Sequence, residues 1–324
     1  MKVVILGGHG FLGHMLAQRL LQMGDLKGRD DASHTIDEII TADQIAPLFP
    51  LESVTSVIGD ITDPDFLNQV IDEDVTSIFH LAAVVSSAAE ADFDLGMRVN
   101  LDATRNILER CRALPKPPRL IFTSSVAVFG NPPAVVQDDT PALPLSSYGT
   151  QKVIGEYLIN EYTRKGFVDG RCIRLPTISV RPGKPNKAAS SFLSSILREP
   201  LQGLEAICPV PQDLLVWIQS PHTAIENLIH AHETPSRAWV DGPRTLNLPG
   251  LTVSVYEMVE ALKRAGGDHS LIRWEPDQDI ARLVGSWPGS MNTVRADRMG
   301  FKKDESIDEI IQVFVRSLPG ITNK

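Results

Sequence analysis

Tyr148 and Lys152 are the residues of this chain whose types and spacing best suit proton-transfer chemistry. They lie four positions apart, about one helical turn, so their side chains share one face of a helix. A lysine ammonium beside a phenol favours the phenolate, which brings the pKa of the phenol from about 10 toward working pH. Such a group can remove a proton from an alcohol. Because the same spacing also occurs by chance on solvated helices, the interpretation depends on what surrounds the pair.

A glycine-rich loop follows the first apolar run of the chain, residues 3–6. Its sequence over residues 7–13, Gly-Gly-His-Gly-Phe-Leu-Gly, contains both Gly-x-Gly-x-x-Gly and Gly-x-x-Gly-x-x-Gly. Between the first strand and first helix of a βαβ unit, such a loop lets the backbone approach a pyrophosphate at the positive end of the helix. A plain glycine-rich turn is the alternative. The loop predicts dinucleotide contacts from Gly7, Gly10, Phe11, Leu12 and Gly13.

Acidic residues follow the second and third predicted strands. Asp43 stands where a carboxylate can bind the adenosine ribose hydroxyls, after an inserted polar loop at 24–35 that lengthens the usual interval. No arginine follows it closely, and a carboxylate repels a 2′-phosphate, so the sequence favours NAD over NADP. Asp43 could instead be a solvated loop residue. Asp60, in Gly59-Asp60-Ile61, could accept a hydrogen bond from the adenine amino group or cap the next turn.

The first half of the chain alternates short apolar strands with amphipathic helices, which predicts a doubly wound parallel α/β sheet of the Rossmann type. A smaller C-terminal α+β substrate domain is expected beside it. The predicted strands are 3–6, 38–41, 54–58, 76–81, 119–123 and 171–175, and the predicted helices are 11–23, 64–71, 93–112, 148–165, 190–198, 222–233, 255–265 and 306–317. Residues 1–175, with a return of 214–249, are assigned to the nucleotide-binding domain, and 176–213 and 250–324 to the substrate domain.

Composition excludes several classes of function. The 324 residues carry a net charge of −9 without a basic tract, so no nucleic-acid partner is expected. No run of about 18 apolar residues predicts a membrane span. The three cysteines, Cys111, Cys172 and Cys208, lack metal-like spacing, so no metal is expected. An odd cysteine count without a secretory signal predicts a cytoplasmic protein with reduced thiols.

Together, and in this order, the motifs resemble those of the extended short-chain dehydrogenase/reductase family, which includes NAD-dependent epimerases and dehydratases. The resemblance covers nearly the whole chain. Its elements are Gly7-x-x-Gly10-x-x-Gly13, Gly59-Asp60-Ile61, His80-Leu81-Ala82-Ala83, Asn100, the run Thr-Ser-Ser-Val-Ala-Val-Phe-Gly at 123–130, and Tyr148-x-x-x-Lys152.

The resemblance implies a role for each of these positions. Ser125 would hold the substrate hydroxyl, Tyr148 would remove its proton, and Lys152 would bind the nicotinamide ribose and stabilise the tyrosinate while a hydride leaves for the nicotinamide. Ser124 competes with Ser125, since adjacent strand residues face opposite sides and only one enters the site. Either serine could instead cap the strand end. Further cofactor contacts are implied for Ile61, Leu81, Ala82, Ala83 and Asn100, besides Asp43, Asp60 and the glycine loop.

The chain departs from the nucleotide-sugar enzymes of that family at two places. They carry an asparagine after the sixth strand, where this chain has Thr177 in Arg-Leu-Pro-Thr. They also carry an arginine that grips the diphosphate and an acidic pair, where residues 214–222 offer Leu215, Pro221 and His222 instead. A diphosphate would lack a key cation. These departures favour a small substrate without a nucleotide.

Five segments, 174–186, 188–192, 210–217, 247–253 and 286–289, resemble one branch of the family that oxidises the C2 hydroxyl of a four-carbon sugar acid, D-erythronate, to 2-dehydro-D-erythronate. A sugar acid needs a cation for its carboxylate, and an arginine gives bidentate geometry. Arg174, Arg181, Lys184 and Lys187 are the candidates, and the choice among them is open. The expected substrate contacts are Ser125, Tyr148, Thr177, Arg181 and Ser191.

Two serines and two tryptophans near the expected substrate pocket each have two possible roles. Ser190 and Ser191 could donate to sugar hydroxyls or cap a helix. Trp217 and Trp287 could belong to the core or to the pocket wall. Two other functions share the fold: a nucleotide-sugar 4-epimerase or dehydratase, and a non-catalytic NAD(P)-sensing protein, although such proteins often lose the tyrosine or the lysine. The resemblance also implies a homodimer that pairs helices 93–112 and 148–165 in a four-helix bundle.

Overall fold

A computed structural model describes residues 1–183, 188–240 and 242–318. The strands are β1 (Lys2–Leu6), β2 (Asp25–Lys27), β3 (Ser33–Thr35), β4 (Glu38–Asp43), β5 (Thr55–Ile58), β6 (Val75–His80), β7 (Arg119–Ser125), β8 (Asp169–Leu175), β9 (Thr177–Ile178), β10 (Ala206–Cys208), β11 (Leu215–Gln219), β12 (Thr245–Asn247), β13 (Leu251–Ser254) and β14 (Ile272–Trp274). The α-helices are α1 (Phe11–Met23), α2 (Pro64–Val70), α3 (Ser86–Ala91), α4 (Phe93–Gly96), α5 (Ala103–Ala113), α6 (Ser147–Arg164), α7 (Phe192–Arg198), α8 (Pro221–Glu233), α9 (Val255–Arg264), α10 (Gln278–Gly285), α11 (Val294–Arg298) and α12 (Ile307–Ser317).

Seven of these strands form the central sheet in the order β12-β8-β7-β6-β1-β4-β5. Every neighbouring pair in it is parallel. Chain order therefore runs outward in both directions from β1, and it reverses between β1 and β6. In doubly wound sheets a ligand binds at this switch point, beyond the carboxyl ends of the strands. The predicted fold class is confirmed.

Strand β1 points apolar side chains to both faces of the sheet, which explains why helices cover both faces. Val4 and Leu6 pack into one core with side chains of α2 and α5, while Val3 and Ile5 pack into the other with side chains of α1 and α8. All four side chains are fully buried. Each contributes about 1.5–3 kcal/mol relative to an exposed side chain, so both faces of this strand stabilise the fold.

A separate hydrophobic core lies in the second half of the chain. It contains side chains of α7, α9 and α12, together with residues of the small sheets β13-β11-β9 and β10-β14. Within 214–249, α8 packs on the central sheet and β12 forms its edge, whereas β11 pairs with β9 and β13. The division into two domains at the stated boundaries stays a prediction.

The structure differs from the expected elements at three points. The polar insertion at 24–35 contains the β2–β3 hairpin, whose antiparallel pairing its composition did not signal. The single helix expected at 93–112 consists of α4, a π-helical segment over Met97–Asp102, and α5. The helix expected at 190–198 begins as a 3-10 turn over Ala189–Ser191. Short elements such as α3 and β14 lack a periodic pattern long enough to reveal them.

Candidate active site

The glycine loop lies at the switch point and touches the segment that follows β6. Gly7 has φ +83°, and a Cβ there would lie 2.6 Å from the Ala82 backbone nitrogen. The backbone N–H groups of Leu81 and Ala82 both donate to the Leu6 carbonyl at 2.9 Å. A Cβ on Gly13 would meet the Gly7 carbonyl oxygen. Only glycine fits this approach between the strand ends and α1.

The start of α1 fits a dinucleotide phosphate. Gly10 is the N-cap, no side chain caps the first turn, and no acidic residue lies in it. The N–H groups of the first turn, including those of Phe11 and Leu12, therefore face no side-chain acceptor or carboxylate there. Such a helix end attracts an anion.

Asp43 ends β4 beside this loop and is half-buried. Its Oδ1 accepts from the Gln44 N–H at 2.8 Å, and its Oδ2 accepts from the His9 N–H at 3.3 Å. The His9 ring lies 3.1 Å from Thr41 Oγ1 and 2.6 Å from the Ile45 carbonyl oxygen. His9 thus fastens the glycine loop to the strand that carries Asp43. The sequence offered no signal for this role beyond the position of His9 between glycines.

The other predicted cofactor residues have structural contacts of their own. Asp60 is exposed and accepts from the Thr62 N–H at 2.8 Å, which is the turn-capping arrangement, while Ile61 is buried in the core. Asn100, in the π-helical segment, accepts from the Val84 N–H at 2.8 Å and donates to the Val84 carbonyl at 3.0 Å. It also donates to Gln151 Oε1 at 2.8 Å. Asn100 therefore ties the segment after β6 to α6, and its contact with the cofactor stays a prediction.

The predicted catalytic residues converge where β7 ends and α6 begins. Lys152 Nζ lies 5.7 Å from the centre of the Tyr148 ring and donates to the Thr123 carbonyl at 2.8 Å. The same ammonium lies 4.5 Å from the centre of the Phe122 ring. The side chains of Ser125 and Tyr148 share a hydrogen bond. The structure thus brings a hydroxyl, a phenol and an amine together at the carboxyl edge of the sheet.

The two serines at the end of β7 face different neighbours. Ser124 is 2 % exposed and donates to Glu156 Oε1 at 2.5 Å. Ser125 bonds Tyr148, and its Oγ also accepts from the Ala127 N–H at 3.1 Å. Their opposite orientation follows from the extended backbone. Of the two serines, Ser125 is therefore the one that lies beside Tyr148, and its contact with a substrate stays a prediction.

The electrostatics of the pair differ from the expectation based on spacing alone. Burial raises the pKa of Tyr148 to about 12, although Arg181 and the hydrogen bond from Ser125 oppose the shift. Burial also lowers the pKa of Lys152 to about 7, while Glu156 opposes that shift. The expectation that Lys152 brings the phenol pKa down toward working pH is not met, because burial outweighs the opposing effects of Arg181 and Ser125 on that pKa.

The arginine and lysine residues considered as ligands for the substrate carboxylate have different partners. Arg174 forms a bidentate pair with Glu156, at 2.8 Å from Nε to Oε1 and 2.7 Å from Nη2 to Oε2. Arg181 instead lies near enough to Tyr148 to lower the pKa of its phenol, and its Nε donates to the Ile178 carbonyl at 3.0 Å. Lys184 and Lys187 lie outside the described residues.

The other residues proposed for the substrate pocket differ in their burial and in their hydrogen bonds. Thr177 is buried in β9, and Ser191 is half-buried without a side-chain capping bond, so capping does not explain it. Trp217 belongs to a buried core cluster and donates to the Leu248 carbonyl, whereas Trp287 is half-buried.

A cavity of about 410 Å³ lies beside the glycine loop; its lining includes Gly10, Phe11, Val180, Gly183 and His222.

The three cysteines are buried free thiols. Among residues 1–183, 188–240 and 242–318, no cluster of three or more His, Cys, Asp or Glu side chains could hold a metal ion. No helix in those ranges is long and apolar enough to cross a membrane. The cytoplasmic location stays a prediction.

Residues 3–232 match the NAD dependent epimerase/dehydratase family, which accounts for more than half of the chain. The chain belongs to this family. The family resemblance predicted from the motifs is confirmed, and membership implies a cofactor of the NAD(P) type. D-Erythronate dehydrogenase of Cupriavidus necator is 50 % identical over 319 residues, 97 % of this chain and 98 % of that protein.

Two further comparisons cover almost the full length. D-Erythronate dehydrogenase of Haemophilus influenzae is 46 % identical over 323 residues, 97 % of this chain and 99 % of that protein. A crystal structure described as the nucleoside-diphosphate-sugar epimerase from Agrobacterium tumefaciens superposes with a TM-score of 0.90 at 41 % identity. That comparison covers 100 % of this chain and 96 % of the epimerase chain. Family membership and fold therefore agree, while the names of the relatives differ in the substrate they imply.

Proposed function

We propose that this protein catalyses the NAD-dependent oxidation of the C2 hydroxyl of D-erythronate to 2-dehydro-D-erythronate. The observation that carries the proposal is that the Arg181 guanidinium lies close enough to the phenol of Tyr148 to lower its pKa. A cation next to the base suits a substrate whose carboxylate is bonded to the reacting carbon. Two relatives that cover nearly the whole chain, at 50 % and 46 % identity, are D-erythronate dehydrogenases.

In this mechanism Ser125 donates a hydrogen bond to the C2 hydroxyl and Tyr148, as the phenolate, takes its proton. Lys152 stabilises the phenolate and binds the nicotinamide ribose. When bound, NAD supplies the acceptor for the hydride that leaves C2. Arg181 binds the carboxylate through two parallel N–H donors, which fixes C2 against the base. Thr177 and Ser191 contact the remaining hydroxyls.

The cofactor would lie across the carboxyl edge of the sheet, from the glycine loop to Tyr148. The proposed contacts are Gly7, Gly10, Phe11, Leu12, Gly13, Asp43, Asp60, Ile61, Leu81, Ala82, Ala83, Asn100, Tyr148 and Lys152. The glycine loop would hold the diphosphate, and Asp43 the adenosine ribose.

Asp43 makes the choice of NAD over NADP testable. Replacing Asp43 with asparagine removes the charge that repels a 2′-phosphate, so we expect the ratio of kcat/KM for NAD over NADP to fall about tenfold or more. Steady-state kinetics with both cofactors measure it. Glu52→Gln, a charge change at an exposed position before β5, should leave the ratio as it is. An unaltered ratio in Asp43→Asn would remove Asp43 from the cofactor site.

The proposed reaction is tested by mixing the protein with NAD and D-erythronate and following the absorbance of NADH. Turnover with stoichiometric NADH supports the proposal. The second candidate function is a nucleotide-sugar epimerase, which the name of the Agrobacterium structure favours. That reaction regenerates its cofactor and gives no net NADH. No NADH from D-erythronate, with conversion of a UDP-sugar instead, would overturn the proposal.

The side chains of Leu215 and His222 argue against the second candidate function, a nucleotide-sugar epimerase. Leu215 is 49 % exposed on β11 and His222 is exposed at the start of α8, where the nucleotide-sugar enzymes place the arginine and an acidic residue. An apolar side chain cannot neutralise a diphosphate.

We also propose a homodimer formed through α4, α5 and α6. Phe93 on α4 is 58 % exposed and Tyr157 on α6 is 70 % exposed. Large exposed apolar side chains at neighbouring elements mark an interaction surface. Light scattering should give twice the chain mass, and Phe93→Glu with Tyr157→Glu should give a monomer. A wild-type protein that scatters as a monomer would contradict the proposal.

A further inference from the structure

A buried carboxylate that no proposed step uses lies directly below the candidate active site. Glu156 is on α6, one turn after Lys152, which is one turn after Tyr148. It is only 4 % exposed. A buried carboxylate is tolerated only where hydrogen bonds and opposite charges compensate the loss of water. Its partners therefore show what the carboxylate holds in place.

The partners of Glu156 come from the two strands that lie under α6. Ser124 Oγ donates to Oε1 from β7, at 2.5 Å. Arg174 donates to both carboxylate oxygens from β8, at 2.8 Å and 2.7 Å. The third nitrogen of that guanidinium, Nη1, donates to Asn247 Oδ1 on β12 at 3.2 Å. Glu156 thus joins α6 to the carboxyl ends of three neighbouring strands.

The hydrogen bond between Glu156 and Ser124 fixes the orientation of the side chains at the carboxyl end of β7. With the Ser124 hydroxyl bonded to Glu156, the next side chain, Ser125, is directed toward Tyr148. The Thr123 carbonyl, one residue earlier, accepts from Lys152 Nζ. Three consecutive residues of β7 are therefore held by α6, and two of the three contacts involve proposed catalytic side chains.

The charged surroundings of Lys152 make Glu156 its main anion. His80 faces it from β6 and has a pKa lowered to about 3 by burial, so it is neutral near pH 7. Cys172 faces it from β8, and burial raises the pKa of that thiol well above its ordinary value. Tyr148 is protonated near pH 7 as well. Within the described residues, Glu156 is the carboxylate that favours the ammonium form of Lys152.

We propose that Glu156 is a positioning residue for the oxidation: it holds Ser124 and Arg174 so that Ser125 faces Tyr148, and it favours the ammonium form of Lys152. The kinetic part of this inference rests on the proposed function. The structural and electrostatic part does not need turnover, because the charge of Lys152 can be followed without substrate.

The test compares Glu156→Gln with the wild-type protein. We expect kcat about ten- to a hundredfold lower with KM for both substrates nearly unchanged, because Glu156 touches neither. Removing the negative charge disfavours the ammonium, so the titration of Lys152 should move at least about one unit lower in pH. NMR of lysine labelled with 13C at Cε follows that titration in the protein without substrate.

Glu161→Gln is the matched control, since Glu161 is an exposed glutamate on the same helix that pairs with Arg164. It should change neither kcat nor the Lys152 titration. Ser124→Ala keeps the carboxylate but removes one of its bonds, so it should lower kcat severalfold and leave the Lys152 titration in place.

The outcomes separate the inference from the substrate proposal. A shifted Lys152 titration in Glu156→Gln, from a protein that does not oxidise D-erythronate, supports the inference and overturns only the substrate. A folded Glu156→Gln that loses thermal stability but keeps the wild-type titration and kcat shows a purely structural ion pair and overturns it. If Glu156→Gln does not fold, Ser124→Ala decides, and a wild-type kcat there overturns the inference.

Discussion

Replacing Tyr148 with phenylalanine should lower kcat for D-erythronate oxidation by about 10²- to 10⁴-fold, the range for loss of a general base. Phenylalanine keeps the ring near the Lys152 side chain and removes only the oxygen that we propose as the proton acceptor. The affinity for NAD, measured by titration of protein fluorescence, should change little, because the glycine loop and Asp43 are untouched.

Tyr256→Phe is the control, since Tyr256 is 52 % exposed on α9 and far from β7 in the chain. It should retain full activity. A Tyr148→Phe protein that binds NAD and turns over at the wild-type rate would show that another group is the base. Loss of NAD binding together with activity would place Tyr148 in the cofactor site without assigning it the proton transfer.

Replacing Arg181 with glutamine should lower kcat/KM for D-erythronate about 100-fold, mainly through KM, because the substrate carboxylate loses its charged partner. The pH dependence adds a second signature. Arg181 lowers the pKa of Tyr148, so its removal should raise that pKa further. Since the phenolate is the active form, the rising limb of kcat against pH should move to higher pH.

Erythritol, which lacks the carboxylate, separates these two effects. Arg181→Gln should lose far less of its activity with erythritol than with D-erythronate when each is compared at the optimum pH of the variant. Arg181→Lys should restore the charge but not the bidentate geometry, and so recover only part of kcat/KM. Equal losses with both substrates would mean that Arg181 supports the fold or the base and does not bind the carboxylate.

Features set by local chemistry were predictable from the sequence. Helix α1 occupies the predicted range 11–23, because an apolar strand, a glycine turn and a periodic run follow each other without interruption. Tyr148 and Lys152 lie on one helix face because they are four residues apart, about one helical turn. The doubly wound parallel sheet followed from the alternation of strands and helices, since short connections leave few other arrangements.

Features that depend on long-range packing were not predictable. Arg174 and Arg181 looked equivalent in sequence, and only the pairing of Arg174 with Glu156 separates them. The choice between Ser124 and Ser125 also required the position of Glu156, 32 residues further along the chain. The raised pKa of Tyr148 reflects burial, which spacing does not report.

The proposed base and the proposed carboxylate ligand are attached to different cores. Tyr148 belongs to α6 on the central sheet, whereas the Arg181 backbone is held by Ser194 and Arg198 of α7, at 3.0 Å and 2.7 Å, in the second core. Redox chemistry and acid selection can therefore diversify independently. Exchanging the α7 segment with that of a related enzyme should alter which hydroxy acid is accepted and leave the oxidation step intact, which makes this segment the natural target for re-engineering substrate range.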